Sequence, residues 1–115
     1  MIVKNYFQTP STLGPSHDGV GDVKNVRVLD ADDFDTRLRF VIYCELKPGT
    51  SIGYHQHGEN EEVYVVLSGR GMMTVNGETR EVGPGDVILN KPRWSHGLSN
   101  HADEDLKILV FEVTA

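Results

Sequence analysis

The sequence contains a single cysteine, Cys44, so no disulfide can form within the chain, and a reducing cytoplasm is the expected setting. It has no apolar run near the roughly 18 residues of a membrane span, and Met1-Ile2-Val3-Lys4 does not lead into an apolar signal core. A basic surplus is missing as well. Eleven Lys and Arg stand against seventeen Asp and Glu, giving a net charge of −6, and the basic residues are scattered. Nucleic acid and anionic membrane surfaces are therefore not expected partners, because binding phosphate needs a clustered positive face. Helical periodicity is the last absence, and it removes the bundle and coiled-coil classes.

What is abundant is punctuation. Twelve glycines and five prolines divide 115 residues into short segments, each of a length and composition suited to a strand. Leu38, Phe40, Ile42, Cys44 and Leu46 share one parity, with Arg37, Arg39, Val41, Tyr43 and Glu45 on the other, the alternation of a half-buried strand. Cys44 lies on the apolar parity and is expected to be a small core residue. Asn76-Gly77 joins Gly71–Val75 to Thr79–Val82 as a tight hairpin, since both turn positions need positive φ. Further strands are expected at Lys24–Leu29, Val63–Leu67, Val87–Leu89, near His96 to Asn100, and at Leu106–Val113. About nine strands at regular spacing predict an all-β domain, a sandwich or barrel. Residues 1–8 read as a short strand and residues 9–22 as a mobile loop, with His17 a solvated loop histidine or, as the alternative, a lid group reaching a site. The acidic run at residues 30–35 reads as a solvated turn.

The chemistry concentrates in two stretches. His55 and His57 are two apart, so on a strand both imidazoles project to one face and converge on an ion roughly 2.1 Å from each nitrogen. A carboxylate follows at Glu62 or Glu61, between which spacing does not decide. His96 supplies a third imidazole from a distant strand start, whereas His101 lies in a polar loop and is expected at the surface. Together these are a sufficient shell for one divalent ion.

Gly49, His55, His57, Glu62 and Gly69 match the first motif of the cupin superfamily at every spacing. Gly85, Lys91, Arg93, His96 and Asn100 resemble its second motif, with Lys91 where the family has proline and Arg93 where it has glycine. The resemblance covers roughly Phe34 to Val113. It implies a single jelly-roll β-barrel over residues 34–115, preceded by an arm and loop over residues 1–33. It also implies His55, His57, Glu62 and His96 as ligands of one divalent transition metal, favours Glu62 over Glu61, and suggests a homodimer.

Three neutral imidazoles and one carboxylate would leave a divalent ion with one residual positive charge, so a small anionic ligand is the expected partner. Mixed nitrogen and oxygen donors suit manganese, iron, nickel, cobalt or zinc. The expected function is that of a metal-dependent enzyme, of dioxygenase or isomerase/lyase type, acting on a small organic acid, sugar derivative or similar metabolite. A non-catalytic binding or sensing cupin is the alternative. Tyr64, on the parity of Glu62, and Arg93 are the candidate catalytic residues, with Trp94 beside them at the mouth. Tyr54 is expected to face away.

Overall fold

The computed structural model describes residues 1–115. Ten strands form two antiparallel sheets. One contains β1 (Thr12–Gly14), β2 (Val23–Asp30), β3 (Leu38–Leu46), β10 (Leu106–Thr114), β5 (Asn60–Ser68) and β8 (Val87–Asn90), in that spatial order. The other contains β4 (Ser51–Gln56), β9 (Ser95–Ser99), β6 (Gly71–Val75) and β7 (Glu78–Val82). The chain is all-β, as expected, with one 3-10 turn at Ala31–Asp33.

The alternation in the sequence becomes the inside and outside of these sheets. On β3 and β10, Ile42, Cys44 and Leu46 face inward with Leu106, Ile108 and Val110. Ile52, Met73, Val82 and Leu98 of the second sheet close the same core of thirteen buried residues. Removing each such aliphatic side chain from water stabilises the fold by about 1.5–3 kcal/mol. The Asn76-Gly77 turn forms as expected, with φ of 48° and 78° and Val75 paired to Glu78 across it.

Two segments, residues 1–8 and 9–22, differ from expectation in detail. Residues 1–8 do not join a ladder. Instead the Tyr6 ring stacks 4.0 Å from that of Tyr43 on the outer face of β3, so aromatic contact replaces strand pairing. The acidic run is an exposed turn, as expected, ordered by a capping box: Asp30 accepts from Ala31 N at 2.8 Å and Asp33 accepts from Asp30 N at 2.8 Å. Residues 9–22 contribute β1 and then cross β4 closely. Gly53 N donates to Ser16 O at 3.0 Å, Ser51 N to Val20 O at 2.9 Å, and Val20 N to Ser51 Oγ at 2.8 Å. A Cβ on Gly53 would collide with the His17 carbonyl oxygen, and one on Gly19 with that of Ser51. Glycine is needed on both sides of this crossing.

Candidate metal centre

The centre forms where β4, β5, β9 and β10 turn their inward faces toward one end of the molecule. His55 on β4 pairs directly with His96 on β9. His57 lies just beyond β4, held by its N–H to the Trp94 carbonyl at 2.9 Å. Glu62 is inward on β5, and Glu112 faces it across the ladder from β10. The Nε2 atoms of His55 and His57 are 3.2 Å apart, and those of His57 and His96 are 2.9 Å apart. Glu62 Oε1 lies 3.1 Å from His96 Nε2 and 3.4 Å from His57 Nε2.

The far ring nitrogens explain why these atoms face one another. His55 Nδ1 lies 2.7 Å from the Gly53 carbonyl oxygen, which can only accept. His57 Nδ1 lies 2.6 Å from Asn60 Oδ1, with Glu112 Oε1 at 3.5 Å. With Nδ1 donating, each Nε2 of the neutral rings presents a lone pair to the cluster. Such crowded lone pairs require a cation among them, either a proton or a metal ion. Cis donors about 2.1 Å from an octahedral ion would themselves be about 3.0 Å apart, in line with the spacings seen. The four residues fit a divalent ion.

The charges agree with that arrangement. Glu112, then Glu62, push the His57 imidazole up to about 10, so without a metal it holds a proton. Burial drives His55 down to about 4. For Glu62 burial acts upward, but hydrogen bonds from His57 and His96 outweigh it and keep the group ionised. His96 is 1% exposed, and its Nδ1 has no protein partner.

A cavity of about 260 Å³ opens onto the cluster. Tyr64 lines it; burial pushes its hydroxyl well above the usual range, so it stays neutral. Cys44 forms part of the wall, its thiol raised to about 12 by burial. Arg93 and Trp94 are not among the lining residues. Arg93 is in an exposed ion pair, Nε to Glu59 Oε1 at 2.6 Å, and its φ of 66° retains the left-handed turn for which glycine is better suited. Tyr54 is exposed, with its hydroxyl accepting from Gly77 N at 3.1 Å, and His101 is exposed beside Ser99. Glu61 has the outward parity of β5 and pairs with Val113. A second concavity, about 340 Å³ between Tyr54, Met72 and Ser99, has no convergent titratable groups.

His17 is not a solvated loop residue but reaches the site, the alternative reading of its loop. The crossing at Gly53 lays its ring flat on that of His55, with centroids 3.5 Å apart and planes 8° from parallel. Both His17 and Asp18 take positive φ, of 49° and 58°, to reach this position. Glu112, Asn25 and Arg27 also line the cavity without having been anticipated. For Glu112 the signal was present: it continues the inward parity of Leu106, Ile108 and Val110, where a carboxyl group has no apolar role.

Comparison with known proteins agrees with the geometry. The sequence profile of the cupin domain matches residues 42–112. An oxalate-binding protein of Thermotoga maritima is 29% identical over 110 residues, covering 96% of this chain and 91% of that protein. The crystal structure of a predicted oxalate decarboxylase from Thermotoga maritima superposes with a TM-score of 0.96 at 25% identity, covering 99% of this chain and all of the other. The polyketide cyclase RemF of Streptomyces resistomycificus shares the fold at a TM-score of 0.83 and 21% identity, covering 98% of this chain and 79% of its own.

Proposed function

This chain belongs to the cupin family, and on that premise we propose that it is a divalent-metal enzyme acting on a small carboxylate by isomerase or lyase chemistry. The observation that carries this reading is the convergence on His57 Nε2 of the Nε2 atoms of His55 and His96 and of Glu62 Oε1, each at 2.9–3.4 Å from it, beside a cavity of about 260 Å³. Manganese, iron, nickel, cobalt and zinc all suit these donors. The bound ion would supply a positive centre that binds and polarises a carboxylate or enolate oxygen.

The chain's own residues account for the rest. Gly53 O and Asn60 Oδ1 fix the tautomers and ring planes of His55 and His57. Ile42, Ile52 and Val110 keep the cavity wall dry, which strengthens every charge interaction inside it. The kinship with an oxalate-binding protein and a predicted oxalate decarboxylase supports a small carboxylate as ligand. The first of those names also favours a second reading, binding without turnover. We further infer a homodimer through the open edge of β8, where Val87 and Leu89 are exposed; light scattering in solution tests it.

Elemental analysis of protein purified without chelator, beside a His57→Ala control, tests the metal. Near-stoichiometric metal in the parent, lost in the control, is expected. Calorimetry with oxalate and assays for carbon dioxide release and oxygen uptake then separate the chemistries. Oxygen uptake would move the assignment to a dioxygenase, and binding with no product over hours would leave a binding protein. Absence of metal after each ion is added back would overturn the proposal.

A further inference from the structure

The cavity extends well beyond the imidazole cluster, and its far side has a different chemistry. Cross-strand partners share a face, so Asn25, paired with Cys44, and Arg27, paired with Ile42, stand on the cavity side of β2, Asn25 half-buried and Arg27 at the rim with its side chain 48% exposed. Both line the cavity. The core-side parity of a sheet ordinarily holds apolar residues, and here an asparagine and a rim arginine occupy two successive positions of it. A register shift between Arg27 and Leu29 places a bulge next to the arginine, the usual device for re-aiming a side chain. The guanidinium carbon lies 5.0 Å over the ring centroid of Phe40, itself part of the lining. Asp30 takes one donor, Nη1, at 3.1 Å, which leaves the others of the fork uncommitted.

The separation of the two ends sets the ligand's size. Tyr64, Val110, Ile42 and Arg27 form one row across β5, β10, β3 and β2. Three strand spacings amount to roughly 14 Å between the backbones at its ends. Phe40, Ile42, Ile52 and Val110 provide an apolar wall between. Oxalate is oxygen at every edge: it would satisfy the imidazole end, leave the wall without dispersion partners, and stop short of the guanidinium.

Resting on the carboxylate reading above, we infer that the ligand is bifunctional and longer than oxalate. Its oxygen-rich head lies at His55, His57, Glu62 and His96. A short apolar body lies along Phe40 and Ile42, and a second anionic group meets Arg27 and Asn25. Arg27 is in this sense a specificity residue, and β2, which lies before the residues matched by the cupin profile, forms part of the binding site.

Calorimetry on the zinc-loaded protein tests this with oxalate, 2-oxopentanoate and 2-oxoglutarate, the last two alike in length but differing in the distal carboxylate. The wild-type protein is expected to bind 2-oxoglutarate at least tenfold more tightly than 2-oxopentanoate. Arg27→Met, which keeps the stem over Phe40 and removes the charge, should abolish that preference without weakening 2-oxopentanoate, and Arg27→Lys should restore part of it. Equal affinities in the wild type, or a preference that survives Arg27→Met, would overturn the inference. Tight oxalate binding alongside either result would leave the carboxylate reading intact, whereas no binding of any of the three acids would overturn both.

Discussion

The two ends of the sheets are built from the same strands and serve opposite purposes. Along β10, Leu106, Ile108 and Val110 lead to Glu112; along β5 in the other direction, Val66 and Tyr64 lead to Glu62; on β9, Leu98 lies two residues from His96. At the closed end the inward side chains are apolar except Asn100, whose amide donates to Leu46 O and Glu104 O, and Leu46, Leu106 and Ile108 have no exposure. At the open end imidazoles and carboxyl groups crowd to within 2.9–3.5 Å of one another. One end supplies the burial that holds the sheets together. The other is a concentration of polar groups in a low-dielectric setting, which costs stability until a cation arrives.

Substitutions at each end test this division, and the largest effect is expected in the core. Ile108→Ala should lower the unfolding free energy by about 2–5 kcal/mol in denaturant titrations while leaving the metal content per folded chain unchanged. A matching loss of metal would break the division. Next, Glu62→Gln should weaken metal retention by more than about 100-fold, beyond what loss of an outer-sphere partner causes. Glu61→Gln should leave it unaltered, and the reverse result would reassign the carboxylate.

The third effect is one of pH on the metal-free protein, followed by melting temperature. His57 is raised from its ordinary 6.5 to about 10, so its contribution is complete below 6.5 and is lost as pH climbs through about 10. His55 is lowered to about 4, so the unfolded chain gains its proton first and stability declines as pH falls from 6.5 toward 4. A maximum near neutrality is expected, with the alkaline decline removed once metal replaces the proton on His57. A flat profile would show that the imidazoles are not in their folded environment. The smallest effect belongs to the rim. Arg93→Ala breaks an exposed ion pair that solvent screens, and should leave the melting temperature and the metal content unchanged.

How legible each part was follows from how local its cause is. The strands were readable because parity is set by neighbours two residues apart, and the Asn76-Gly77 turn because its conformation depends on its own two residues. His55, His57, Glu62 and His96 were readable as a set through motif spacing. His17 was readable only as an alternative, because its position depends on Gly19 and Gly53 passing one another, and no periodicity records that two distant glycines meet. Arg27 was hidden for a related reason: it looked like an ordinary polar position on a half-buried strand, and only the pairing of β2 with β3 sets it at the cavity rim. Arg93 was overvalued because proximity in sequence to His96 does not carry proximity to the cavity when a left-handed turn intervenes.

The one thiol of the chain gives the fold a clock. Cys44 is 4% exposed on the cavity wall, and with its acidity suppressed to about 12 almost none of it is the reactive thiolate at neutral pH. Alkylation must wait for the sheets to part or the cavity to admit the reagent. Its rate therefore counts openings in an otherwise silent molecule, and a ligand seated against the wall would slow the count without any label attached to it.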